Sequence, residues 1–361
     1  MKPFSNFTKG IALSALASLA GTFMSVLVQT APAHAATLGG PLTLEDEGAF
    51  FVGGKTVTSN YPGASLVTGP SAPGKITVNQ MYVHYRIPAG KQGVPVVMVH
   101  GSNHTGMTYE TTPDAREGWA TWFVRKGSPV YVVDHSGRGR SGFDPTPFNQ
   151  VRDSGGANPA SLPTLLLATH ERAWLNFRLG SSYSVPFPGL QFPTEAMEQY
   201  TMQLVPNAET SLAGIGANTV NALAALLDRI GASVVIVHSQ SGVYGLDLVR
   251  QRPKLVRALV TVEGGCDGFT DKDAASYFAK VPMLSLWGDN SVGAKQTVNG
   301  DARRNGCRDA VNAIKAAGGR AALAVLPDIG IKGNSHMMMM DRNNLQVADV
   351  ILKWLAENAA R

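Results

Sequence analysis

Six short apolar runs constrain this chain most: Pro95 to Val99, Val130 to Val133, Val234 to Val237, Ala258 to Val262, Met283 to Trp287 and Ala321 to Leu326. Each is apolar at consecutive positions, which is the pattern of a strand covered on both faces inside a parallel sheet. Helical repeats lie among them at Gly118 to Lys126, Thr219 to Ile230, Asp301 to Ala317 and Asn344 to Ala359. Strand and helix alternating in this way imply an α/β fold, a mostly parallel, doubly wound sheet with right-handed crossovers. Phe50-Phe51-Val52 and the alternating stretch Lys75 to Arg86 add strands ahead of the first run. From Phe143 to about Thr210 the rhythm stops, and prolines and aromatic residues (Trp174, Phe177, Tyr183, Phe187, Phe192) take over. An insertion there would cover the carboxyl ends of the strands, where open α/β sheets bind ligands. Residues 143–210 are therefore expected to be a cap insertion on a core made of 36–142 and 211–361.

Residues 1–35 read as a signal peptide. Lys2 and Lys9 make a positive start, Ile11 to Val28 is apolar, and Ala33-His34-Ala35 suits a small-x-small cleavage site. An uncleaved anchor is the alternative, but the Ser, Thr and Gly content and the Ala-His-Ala end favour cleavage. The mature chain would begin at Ala36, which is not the cysteine of a lipoprotein anchor. An exported protein is expected, periplasmic or secreted from a bacterium, with no stable membrane anchor after cleavage. The net charge of +5 falls to +3 without the two signal lysines, and no basic run stands out. A nucleic-acid partner is not expected. Two cysteines in an exported chain favour one disulfide, Cys266 to Cys307, over two buried thiols. Neither lies in a Cys-x-x-Cys or a close Cys/His cluster, so no metal is implied, and no cofactor either. These patterns do not specify an oligomeric state.

The run Val234 to Val237 enters His238-Ser239-Gln240-Ser241-Gly242 and leaves with the helical spacing of Val243, Leu246, Leu248 and Val249. A strand, sharp turn and helix centred on a serine is the geometry of a nucleophile elbow, which lifts a hydroxyl above the sheet and turns backbone N–H groups toward the reacting centre. With Ser241 as the nucleophile, the small residues wanted two before and two after it fall on Ser239 and Val243. The second of these is too large. The plainer alternative is a β–α turn in which Ser241 caps the helix.

A serine needs a base. His336, in Gly333-Asn334-Ser335-His336 between the last apolar run and the last helix, fits the chain order nucleophile, acid, histidine. His238, inside the turn, is expected to be packed or bonded to backbone. The carboxylate that orients the imidazole could be Glu263, which ends one strand, or Asp289, which ends the next. Position alone leaves both open. Two backbone donors for the oxyanion are expected from Gly242 and from the loop His100-Gly101-Ser102-Asn103, at Ser102 or Asn103. Asp134 to Gly142 is expected to brace that loop without doing chemistry.

These residues resemble the α/β-hydrolase superfamily, and more narrowly a group of exported bacterial esterases whose elbow reads Ser-Gln-Ser-Gly. The resemblance runs over nearly the whole mature chain. It includes Thr105 to Asp114, Ser136 to Ser141, His238 to Gly242, Gly333 to Met339 and Asp341 to Asp349. It implies an α/β-hydrolase fold, a glutamate acid at Glu263 with Asp289 in reserve, and the paired cysteines. Relatives carry adjacent cysteines where this chain has Ser102-Asn103. The expected function is a serine carboxylesterase that hydrolyses small-molecule esters through an acyl-enzyme. Amide, lactone or polyester hydrolysis by the same groups is the neighbouring alternative, and a non-catalytic exported binding protein on the same fold is the rival from another class.

Overall fold

Burial with a period of two along the apolar runs sets the layers of the molecule. The computed structural model describes residues 40–60, 64–65, 69–70, 73–153, 160, 162, 164–207, 214–291 and 300–359. The expected signal peptide lies outside them. Eight strands form one sheet: β1 (Leu44–Ser59), β2 (Gly74–Pro88), β3 (Val96–Val99), β4 (Val130–Asp134), β5 (Ser233–His238), β6 (Val256–Val262), β7 (Met283–Trp287) and β8 (Ala321–Val325). Their spatial order is β1-β2-β4-β3-β5-β6-β7-β8. β2 pairs antiparallel with both β1 and β4, and every later pairing is parallel. The five principal helices are α1 (Trp119–Arg125), α2 (Ile215–Ile230), α3 (Gly242–Gln251), α4 (Gly300–Ala316) and α5 (Asn344–Asn358). The apolar runs and helical repeats mark these elements to within a few residues. β1 is much longer than Phe50-Phe51-Val52, because it is an edge strand with one wet face and so carries little apolar signal.

Alternate residues of each central strand face opposite layers. Val96, Met98, Val130, Val132, Val234, Ile236, Leu284 and Leu286 pack against Trp119 and Phe123 of α1 and Val347 and Ile351 of α5. Val97, Val99, Val133, Val235, Val237 and Leu259 pack against Leu223 and Leu227 of α2, Leu246 and Val249 of α3, and Ile314 of α4. This explains why runs apolar at every position were needed.

Between β4 and α2 the described residues of 143–210 add no strand to this sheet. They form a helix His170–Asn176, started by the Thr169 hydroxyl accepting from the Arg172 N–H, a ribbon of Gly180–Ser182 with Val185–Pro186, and a helix Met197–Met202. Trp174, Phe177, Leu179, Phe192 and Tyr200 are buried in the same cluster as Met337, Met338, Met339 and Met340. The four methionines are fully buried, so they pack the core and line no pocket wall. Backbone bonds fasten the segment at both ends of the site: Val205 N–H to Asn103 O, and His336 N–H to Phe177 O.

Cys266 and Cys307 form a disulfide across 41 residues of sequence, joining the loop after β6 to α4. Closing a loop of that length in the unfolded chain is worth about 4 kcal/mol. Replacing both cysteines by alanine should lower the unfolding free energy in urea by about that amount. A change below about 1 kcal/mol would mean that restriction of the unfolded chain is not its main contribution.

Candidate active site

β5 ends at His238 and α3 begins at Gly242, so the reversal falls on three residues. Ser239 carries it, with φ of +51°, a left-handed conformation that non-glycine residues adopt only where the surroundings enforce it. The neighbouring loop has to be bare at this point: a Cβ on Gly101 would meet His238 Nδ1 at 2.7 Å and Ser239 Cβ at 3.0 Å. Gly245 lets α3 lie down on β5, since a Cβ there would meet Leu259 Cδ1 at 2.7 Å and Val237 Cγ2 at 3.1 Å. The strained, strand-terminating serine of this elbow is thus Ser239. The small residue two places beyond it is Ser241.

Ser241 does not occupy the position expected of it. Its side chain is wholly buried, its hydroxyl donates a short hydrogen bond to the His100 carbonyl, and its oxygen lies 2.9 Å from His135 Nε2. With its only proton committed to the carbonyl, Ser241 accepts from the imidazole, so His135 cannot act as a base toward it. Ser241 ties the elbow to the ends of β3 and β4. Gly242, the expected oxyanion donor, instead allows close packing, because a Cβ on it would lie 2.5 Å from the Gly265 carbonyl oxygen.

Glu263 and His336 do come together. Glu263 follows β6 with φ of +48°, and its Oε2 is 2.6 Å from His336 Nδ1. Its Oε1 accepts from the Gly288 N–H at 2.9 Å and from Arg178 Nη2 in a short ion pair. Burial opposes ionisation of this carboxyl, but Arg178 and His336 outweigh it and hold Glu263 well below the usual carboxylate range. His336 Nδ1–H is committed to Glu263, leaving Nε2 with the lone pair. Burial lowers the His336 pKa from 6.5, Glu263 opposes that shift, and Arg178 and Arg303 reinforce it. The ring stacks on Phe177, and its backbone carbonyl accepts from His238 Nε2 at 3.0 Å. His238 is therefore a support bonded to backbone. Asp289, the reserve acid, exchanges bonds with Asn334: Asn334 N–H to Asp289 Oδ2 at 2.9 Å, and Asp289 N–H to the Asn334 carbonyl at 3.0 Å. It braces the histidine loop and has no hydrogen bond to His336 itself.

Of the two oxyanion-loop candidates, Asn103 is occupied. Its N–H donates to Asn207 Oδ1 at 2.7 Å, and its amide donates to the Leu166 and Val205 carbonyls. The Gly101 carbonyl is held by Arg138 Nη1 at 2.6 Å and by His100 Nδ1 at 2.8 Å. In a trans peptide the C=O and N–H point oppositely, so pinning Gly101 O also aims the Ser102 N–H. Burial holds His100 at about 3 and keeps it neutral. Arg138, which burial lowers to about 9, remains a cation at neutral pH. Its Nη2 donates to Gln240 Oε1 at 3.1 Å, so one guanidinium joins the loop after β3 to the elbow.

A small cavity of about 50 Å³ opens over these groups, lined by Ser102, Phe177, Arg178, Ser239, Glu263, Arg303 and His336 among others. Ser241 and Gly242 are not part of its wall. Sequence reasoning missed Ser239, Gln240, Arg178 and Arg303, and reached Arg138 only as part of the turn Asp134 to Gly142 expected to brace the loop after β3. Of those missed, only Ser239 had a linear signal, since it is the first residue past the apolar run. Among the described residues no group of three His, Cys, Asp or Glu is arranged to hold a metal ion.

No family model matches the chain. Among solved structures it is similar to one described as a novel bacterial esterase, with a TM-score of 0.83 and 42% identity, covering 89% of this chain and 98% of that one. Among curated proteins it is similar to a probable secreted lipase, phiG, of a fungus (Fungal sp.), 28% identical over 78% of this chain and 87% of that protein. Identity of 42% over nearly the full length, on the same sheet, defines the class. The chain belongs to the esterases of the α/β-hydrolase superfamily, serine hydrolases that act on ester bonds.

Arg178 disfavours the imidazolium form of His336. Arg178→Gln should therefore raise the His336 pKa, so that the ring becomes charged at higher pH than in the parent protein. Arg178→Lys should leave it nearly unchanged. NMR titration of the ring measures this directly. An unmoved or lowered pKa in the glutamine variant would contradict the electrostatic role assigned to Arg178.

Proposed function

We propose that the protein is an exported carboxylesterase in which Ser239, His336 and Glu263 form the catalytic triad. The observation that carries this reading is the Glu263–His336 pair, whose imidazole lines a cavity shared with the strained Ser239. His336 Nε2 takes the Ser239 proton as the hydroxyl attacks the ester carbonyl, while Glu263 fixes the tautomer and stabilises the imidazolium. The tetrahedral oxyanion is received by the N–H groups of Gln240 and Ser102, each such donor being worth roughly 10²–10³ in turnover. The imidazolium returns its proton to the leaving alcohol, giving an acyl-enzyme on Ser239. Water activated by His336 then releases the acid.

The domain division follows the same reading: a signal at 1–35, a core of 36–142 and 211–361, and a cap at 143–210 that supplies Phe177 and Arg178 to the pocket. Export is supported by the disulfide, by the N-terminal pattern and by the likeness to a secreted lipase. Small-molecule esters are the substrate class that the likeness to a bacterial esterase and a secreted lipase supports.

A fluorophosphonate should label the protein once. Peptide mapping should find the adduct on Ser239, lost in Ser239→Ala and in His336→Ala but kept in Ser241→Ala. An adduct on Ser241 would overturn the assignment, and a folded protein that takes no label would favour a binding protein on this fold.

The acid has its own test. Glu263→Gln should lower kcat by about 10³-fold or more, since losing the carboxylate of a triad releases the wrong tautomer. Asp289→Asn should cost far less. Steady-state kinetics on a neutral ester, with folding checked by circular dichroism, gives the ranking, and the reverse order would move the acid to Asp289.

A further inference from the structure

Arg303 is a cation that the proposed hydrolysis does not use. It stands in the first turns of α4, its guanidinium lines the cavity, and Nη2 donates to the Ser239 carbonyl at 3.0 Å. Among the described residues no carboxylate lies within ion-pair distance of it. Glu263 is spent on Arg178 and His336. Glu263 and, less strongly, Asp267 of the loop after β6 still act on it electrostatically, and Asp267 is exposed to solvent. The cavity therefore holds two guanidiniums, one carboxylate and an imidazole that burial keeps neutral. The remaining polar groups of its wall, Ser102, Asn103 and Asn176 among them, carry no charge. Arg303 thus stands in the cavity wall as a cation outside any ion pair, with one N–H spent on the Ser239 carbonyl. Its planar fork matches a carboxylate in two-point geometry.

We propose that Arg303 is an anion subsite, and that the preferred substrates are short esters bearing a second, ionised carboxyl group within a few bonds of the scissile carbonyl. This rests on Ser239 being the nucleophile. Because Nη2 is anchored on the Ser239 carbonyl, the rest of the fork can reach only a group close to the reacting carbon. The field of Arg303 then adds to substrate binding without taking part in proton transfer.

Two isosteric pairs test this on the mature protein. Monoethyl succinate is compared with ethyl succinamate for a charge on the acyl side, and acetoxyacetate with acetoxyacetamide for a charge on the alcohol side. In each pair an anionic carboxylate replaces a neutral amide of the same shape. At least one pair should show kcat/KM about 10-fold or more in favour of the anion, chiefly through KM. Arg303→Gln should abolish that preference and Arg303→Lys should retain part of it. No anionic preference in either pair would overturn the proposal. So would an Arg303→Gln variant that lowers both members of a pair equally, since Arg303 would then only hold the Ser239 carbonyl. Ser239→Ala, assayed on the amides, separates the two readings. If amide-ester turnover survives that change, the nucleophile assignment has failed, and the charge preference no longer refers to this site. If it is lost while wild type shows no anionic preference, the anion subsite alone has failed.

Discussion

Much of this structure depends on keeping the carboxylate of Glu263 ionised while it is fully buried. Taking a carboxylate out of water costs several kcal/mol, and the cost is recovered only through close partners of good geometry. Its partners are Arg178, the ring of His336 and the Gly288 N–H. They come from the insertion, from the loop between β8 and α5, and from the end of β7. Four separate regions of chain must therefore meet at one point for the charge to be tolerated. The φ of +48° at Glu263 shows that the backbone there is forced as well. The insertion is part of the site for this reason: without Arg178 the acid would have an imidazole and one amide against a dry environment.

The loop after β3 depends on another device, side-chain hydrogen bonds and one buried guanidinium that lock a backbone. In the esterases that the sequence resembles, adjacent cysteines stand where this chain has Ser102 and Asn103. Here the loop is held without that crosslink. Asn103 is fastened through its N–H, amide and carbonyl to the insertion, and Gly101 O is clamped between Arg138 and His100. Each bond is modest alone, but a buried donor or acceptor left unpaired would cost about 1–3 kcal/mol. The loop cannot drift without losing several at once. Ser241 and His135 add a further strut between the elbow and the ends of β3 and β4.

The two serines of the turn illustrate how far linear reasoning reaches. Taking Ser241 as nucleophile left Val243 where a small residue was wanted. Shifting the frame by two residues removes that misfit, because Ser241 becomes the small neighbour and Gly245 absorbs the bulk of Val237. The end of the apolar run at His238 was the available clue. The position of Glu263 and the loop of His336 were read from chain order and resemblance, and the bracing turn of Arg138 from its place after a strand, whereas Arg178 had no signal. An arginine in an irregular segment looks like any solvated arginine until its contacts are known.

The sequence by itself determined the sheet and its layers, because a residue's burial in a strand follows a period of two and in a helix a period near 3.6. Both periods are written locally. It also determined which few residues could carry acyl-transfer chemistry, because that chemistry admits few side chains. Only the tertiary structure decided which serine shares a cavity with the histidine and which charges are spent on each other. Those are contacts between residues dozens to hundreds of positions apart. Their energies depend on distance and on the exclusion of water, and neither quantity is encoded along the chain.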